Sequence, residues 1–225
     1  MDVVFASGLT DPGASEADLI LANVERPIGL IEATIDDRRF RYLSIGSVLE
    51  TFPALAADNR YLASKAAYGE RLAALTAGIR LRNRIMHLRG HTFYGGAPAP
   101  HSFLGQMYDS LRTRRPFRMS QGRQLREYAH VDDVASSLAA LLSRDWSGAG
   151  AMDLSTGEPV TLSVLARAVF KKFGCEELLE IGALPTPAGE NQDRTFPRSP
   201  DWLLGQSRPP IDGITQWLSG LLQRT

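Results

Sequence analysis

The chain has 225 residues, room for one large or two small domains with a sizeable core. Lysine plus arginine and aspartate plus glutamate each number 25, so the formal net charge is zero, with no basic stripe for nucleic acid and no acidic block. Cys175 is the single cysteine, which excludes an intrachain disulfide and a multi-cysteine zinc site, and His87, His91, His101 and His130 are not read as metal ligands, although His87 and His91 stand four residues apart.

The first residues carry no signal-peptide pattern and no run reaches the length of a membrane span, so the expectation is a cytoplasmic protein with no membrane or nucleic-acid partner. Residues 2–7, Asp-Val-Val-Phe-Ala-Ser, predict a buried strand, and Gly8, Asp11, Pro12 and Gly13 a loop. Ser15 with Asp18 predicts an N-cap opening a helix to about Ala33, with Leu19, Ile20, Val24 and Ile28 inward. Pro27 inside it predicts a kink or an early end. A second strand falls at residues 40–45, followed by a loop from Gly46 to about Asn59. A helix starting near Tyr61 leads to the strand Ile85-Met86-His87-Leu88-Arg89.

This alternation predicts an α/β fold, a parallel sheet with crossover helices. Ligands in such sheets sit outside the carboxyl ends of the strands, where Ser7–Gly13, Ser44–Ser47 and Gly90–Gly95 fall. The second half changes character. Gly95 to Pro100 predicts a turn-rich connection, Ser102 to Leu111 a helix and Gln121 to Val131 an extended segment. Asp132 and Asp133 open a helix and are read as its cap rather than as a metal dyad. Met152 to Leu154 predicts a short strand, Thr161 to Phe173 an amphipathic helix ended by Gly174, Pro185 to Pro210 a long loop, and Ile211 to Leu222 a terminal helix.

Chemistry concentrates in Tyr61-Leu62-Ala63-Ser64-Lys65. A tyrosine and a lysine four residues apart share one helix face. An ammonium near a phenol lowers the phenol pKa, and a phenol so tuned can exchange a proton with a substrate hydroxyl. Taken alone, the spacing fits a solvated helix face as well.

Its surroundings carry a resemblance. Asp2 to Pro12, Tyr42-Leu43-Ser44-Ile45-Gly46-Ser47-Val48, the Tyr61–Lys65 pair, Leu88-Arg89 through Tyr94-Gly95, and Gly122 through Arg126-Glu127-Tyr128 to Val134-Ala135 occur in order. Thr156-Gly157-Glu158-Pro159-Val160-Thr161 follows them. Together they resemble the NAD-dependent epimerase/dehydratase family, extended short-chain dehydrogenases/reductases that act on nucleotide-linked sugars. The resemblance implies a partial Rossmann-like core over residues 1–95 and a smaller substrate-binding α/β lobe over 96–225, with segments of the latter returning to the core. It implies NAD or NADP as cofactor and a nucleotide sugar as substrate. It makes Tyr61 the acid/base and a cofactor contact, Lys65 its catalytic partner that tunes it and binds the nicotinamide ribose, and Ser7 and Gly8 part of the loop along the cofactor. Arg126 would face the nucleotide diphosphate, and Ser44, Ser47 and Thr92 would meet the substrate.

The sequence also departs from the family pattern. It holds no G-x-x-G-x-x-G or G-x-G-x-x-G turn for the pyrophosphate and starts at what resembles the family's fourth strand, roughly sixty residues in. The family's catalytic Ser or Thr falls at Ile45, which cannot hydrogen-bond; Ser44 or Ser47 is the candidate replacement, and Ser47, which shares its strand face, is the better of the two. Thr92 stands where the family has Asn. Without the preceding strands, residues 2–7 form an apolar edge, expected to pair with a separate N-terminal half or a second copy of the chain. The alternative is a non-catalytic relative that keeps the sugar-nucleotide lobe as a binding or partner subunit.

Overall fold

The computed structural model describes every residue except 12, 53–58, 78–82, 145, 147–149, 187–194, 206 and 225. In chain order the first elements are β1 (Asp2–Phe5), α1 (Glu16–Ile20), a π-helical turn (Leu21–Glu25), α2 (Arg26–Thr34), β2 (Arg41–Ser47) and a 3-10 turn (Val48–Thr51). Then come α3 (Arg60–Ala77), β3 (Ile85–Gly90), β4 (Thr92–Tyr94), α4 (Phe103–Thr113), β5 (Phe117–Met119), β6 (Leu125–Arg126) and β7 (Tyr128–His130). The last are α5 (Val131–Leu142), β8 (Gly150–Leu154), β9 (Val160–Thr161), α6 (Leu162–Lys172), β10 (Leu179–Ile181) and α7 (Pro210–Leu222).

These elements form two compact units. One holds Met1–Gly90 and Leu141–Leu154, the other His91–Ala140 and Ser155–Thr225. The first is built on a four-stranded parallel sheet in the order β1-β2-β3-β8. Its register places Arg89 opposite Asp153, and the Arg89 Nε donates to Asp153 Oδ1 at 2.8 Å. Tyr42 of β2 and Ile85 of β3 pack with Val24, Ile28, Ile31, Tyr68 and Leu72 of the helical layer. Strand alternation puts Ser44 on the same face as Tyr42, and Ile45 with Ser47 on the other.

The expected N-cap is present: Ser15 Oγ accepts the Asp18 N–H at 3.1 Å and donates to Asp18 Oδ2 at 2.7 Å. Pro27 does not end the helix. The π-helical turn precedes it, and the chain restarts as α2 with proline in the first turn, where a missing N–H breaks no helical bond. The loop expected from Gly46 begins later, because β2 runs to Ser47 and the 3-10 turn follows directly. The remainder of that loop lies partly outside the described residues, as does part of 185–210.

The second unit carries three two-stranded ladders, β10 with β5, β4 with β7, and β6 with β9. Its core joins Met107 and Leu111 of α4, Leu165, Val169 and Phe170 of α6, and Ile214 and Leu218 of α7. Thr161 Oγ1 caps α6 through the Val164 N–H (3.3 Å), and Gly174 ends it with a φ of 61°. Asp132 and Asp133 lie in the first turn of α5. Asp133 also accepts the Arg208 N–H at 2.9 Å and lies 3.3 Å from the Arg208 guanidinium. Among the described residues no group of His, Cys, Asp and Glu could hold a metal ion, and no helix is long and apolar enough to cross a membrane.

Candidate active site

In the first unit the site grows from the start of α3. Asn59 opens the helix, its Oδ1 accepting the Leu62 N–H at 3.1 Å. One turn on, the Lys65 Nζ lies 5.7 Å from the centre of the Tyr61 ring. Ser64, between them in sequence, turns inward, donating to the Tyr61 carbonyl at 2.8 Å and accepting from Asn23 Nδ2 at 3.0 Å.

Asn23 is a functional residue that the sequence analysis missed. It sits in the π-helical turn, 3% exposed, and both accepts the Leu9 N–H (2.8 Å) and donates to the Leu9 carbonyl (3.0 Å). It thereby pins the loop after β1 against α3. An asparagine flanked by apolar residues on a helix was the available signal, since a buried amide must find partners.

The loop so held and α3 enclose a cleft of about 500 Å³, lined among others by Ser7, Gly8, Asn23, Arg26, Ile45 and Lys65. A side chain at Gly8 would come within 2.9 Å of Asn23 Oδ1 and 3.2 Å of Lys65 Nζ, so only glycine leaves the lysine open to the cleft. Three of the four predicted cofactor residues, Ser7, Gly8 and Lys65, thus meet in one place, and the fourth, Tyr61, is not among the lining residues. A cation, a hydroxyl and exposed backbone beside an apolar wall suit a ribose hydroxyl and a flat aromatic ring, and the cleft fits the nicotinamide end of the expected cofactor. Ile45 lines the same wall and offers no hydrogen bond.

Ser44 and Ser47 do not line this cleft. Ser44 is buried, donating to Tyr68 Oη at 2.8 Å with its Oγ 3.1 Å from His87 Nδ1. Ser47 caps the 3-10 turn, its Oγ accepting the Leu49 N–H at 3.2 Å. The polarity of the pair also differs from expectation. Burial first, and the Glu50 carboxylate second, push the Tyr61 phenol up from its ordinary value. Burial pushes the Lys65 ammonium down, and Glu50 opposes this. The expected lowering of Tyr61 by Lys65 is therefore not found: burial and Glu50 set the direction.

In the second unit Thr92 and Arg126 line a cleft of about 390 Å³ whose walls include Phe93, Tyr128 and Trp217. Arg126 lies at the end of β6, where its Nη1 donates to the Leu125 carbonyl at 2.8 Å. A guanidinium among aromatic walls suits a nucleotide, which offers anionic oxygens and a flat base. Glu127, also missed, is buried beside it. Its Oε2 accepts from Ser155 Oγ (2.8 Å) and the Thr156 N–H (2.9 Å), tying β9's approach to the Arg126 segment. The acid next to Arg126 was visible in the sequence; its partners were 28 and 29 residues away.

Comparison with known proteins follows the same lines. The sequence model of the NAD dependent epimerase/dehydratase family matches residues 2–152. Among solved structures, TunA, an NAD-dependent NDP-hexosamine 5,6-dehydratase involved in tunicamycin biosynthesis, superposes with a TM-score of 0.79 at 17% identity, covering 100% of this chain and 78% of that one. RMD from Pseudomonas aeruginosa, complexed with NADPH, gives 0.77 at 17% identity, covering 100% and 82%. The UDP-glucose 4-epimerase of Thermotoga maritima, with UDP-glucose, gives 0.78 at 14% identity, covering 99% and 77%. At these identities the likeness shows a shared Rossmann-like fold. No curated protein matches the sequence.

Proposed function

This chain belongs to the NAD dependent epimerase/dehydratase family, and from that premise we propose that it is an NAD(P)-dependent epimerase, dehydratase or reductase acting on a nucleotide-linked sugar. The observation that carries the reading is the Tyr61–Lys65 pair beside the cleft of Ser7, Gly8 and Lys65. The names of the structural neighbours, a dehydratase of an NDP-hexosamine and an epimerase with UDP-glucose, support the substrate class.

Tyr61 holds the proton to be exchanged with a sugar hydroxyl. Lys65 hydrogen-bonds the ribose and carries positive charge toward the phenol. Hydride exchange is the chemistry that a bound nicotinamide would supply. Arg126 grips the diphosphate and Thr92 a substrate hydroxyl. The portion with the Gly-rich turn comes from outside residues 1–225 or from another chain, and it pairs along the outer edge of β1, where the described sheet ends.

Ile45 in the cleft wall favours a second reading, a non-catalytic subunit that binds a sugar nucleotide. One comparison separates them. With the complementing half present, Tyr61→Phe should cost at least a hundredfold in turnover and leave sugar-nucleotide affinity unchanged. Equal turnover in both proteins would sink the mechanism, and binding without turnover in the unmodified protein would establish the subunit.

A further inference from the structure

Behind the Tyr61–Lys65 pair lies a buried polar network that the proposed chemistry does not use. Glu50, in the 3-10 turn after β2, forms a capping box with Ser47: Oε1 accepts the Ser47 N–H at 2.7 Å. Its Oε2 meets His87 Nε2 of β3 at 2.8 Å, with both side chains 5% exposed. His87 Nδ1 continues to Ser44 of β2, and Ser44 to Tyr68 of α3. Two glycines make room. A side chain at Gly46 would run into His87 and Glu50, and one at Gly69 would lie 3.0 Å from Glu50 Oε2.

Gly69 identifies where the carboxylate sits. Residues 61, 65 and 69 recur at four-residue intervals, so Tyr61, Lys65 and the Gly69 gap follow one face of α3. A buried carboxylate is costly unless it is paired, and one fixed by a backbone N–H and an imidazole at the end of such a stripe has a defined direction. The titratable groups facing it are His87 from β3 and Tyr61, Lys65 and Tyr68 from α3; Arg26 is the other cation lining the cleft.

We propose that Glu50 is a positioning residue for the Tyr61–Lys65 pair: seated over Gly69 and held by Ser47 and His87, its carboxylate is the fixed counter-charge on the face of α3 that carries Lys65. The assignment rests on the Tyr61–Lys65 reading for its purpose but not for its test. Burial disfavours the Lys65 ammonium, the form that can hold a ribose through three donors. Glu50 opposes this effect, and it also favours the protonated Tyr61.

The chain has only three lysines, Lys65, Lys171 and Lys172, so each amine can be followed separately. Trace acetylation with acetic anhydride across a pH series, read by mass spectrometry of peptides, reports each midpoint without cofactor or substrate. In Glu50→Gln the Lys65 midpoint should move to lower pH while Lys171 and Lys172 stay fixed. Unfolding gives the opposite sign, because loss of burial raises Lys65 toward the ordinary lysine value. Gly69→Ala is the second variant: its methyl group crowds Glu50 Oε2 while alanine favours the helix. It should shift Lys65 in the same direction. An unchanged Lys65 midpoint in folded Glu50→Gln, or in Gly69→Ala if the first variant does not fold, overturns the proposal. Failure to bind NADH or to turn over would speak only against the proposed function.

Discussion

Tyr68 shows how a single buried side chain links the site to stability. Its phenol is 3% exposed and is pushed up to about 12, burial being the main cause. The folded chain thus holds this proton more tightly than the unfolded chain does. The stabilisation is complete below pH 10 and is lost as pH rises through 10 to 12, worth about 3 kcal/mol at its upper limit from roughly 1.4 kcal/mol per unit. Tyr94, also pushed up to about 12, adds to the same slope. Urea denaturation at successive pH values should show stability falling across this window. Tyr68→Phe should fall less steeply, and start about 1–2 kcal/mol lower at neutral pH because Ser44 loses its acceptor. At this scale the sequence revealed residues whose meaning is local. Tyr61 and Lys65 were readable from a four-residue spacing. Glu50 and His87 were not, since they are 37 residues apart and only adjacent strands bring them together. The direction of Tyr61 was misjudged for the same reason: burial and Glu50 are properties of the fold, not of the pentapeptide.

Helices announced themselves by their caps, and their interruptions did not. Ser15, Ser102 and Thr161 each cap the helix that follows. Pro27 signalled a break, yet a π-helical turn absorbs it and turns Asn23 toward Leu9 and Ser64. Short strands were less legible. Phe117–Met119 and Leu179–Ile181 are three residues each and pair only with one another, so neither carries a periodic signal of its own. The start of α4 offers a test of element packing. Ser102 Oγ accepts the Gly105 N–H at 3.0 Å and donates to the Ala99 carbonyl at 2.8 Å, and a side chain on Gly105 would collide with that same carbonyl. Gly105→Ala should therefore destabilise the protein by about 2–3 kcal/mol despite alanine's better helix propensity, as read from the urea midpoint. A gain in stability would show that the approach of Ala99 is not required.

For the whole molecule, alternation of strand and helix was enough to anticipate a parallel α/β sheet, because crossover connections leave few alternatives. The sheet order was less accessible: β8 joins β3 from 60 residues further along the chain, and a short strand does not reveal its neighbour. The outer side of β1 is unpaired among the described residues, and Val4 is 40% exposed there. With zero net charge to oppose association, this edge should drive concentration-dependent self-association in sedimentation velocity, or capture the complementing half. Val4→Lys should weaken either assembly at least tenfold while leaving the thermal midpoint nearly unchanged. Equal association in both proteins would exclude the edge as the interface.

The return of β8 also bears on biosynthesis. When β3 leaves the ribosome, its far side has no neighbour, and the strand that will cover it is not yet translated. All of residues 91–140 must be made first, so the first unit completes its sheet only after much of the second has emerged. A fragment ending at Gly90 would leave the far side of β3 uncovered and should collect in inclusion bodies, whereas a nascent chain released after Leu154 carries the strand that covers it.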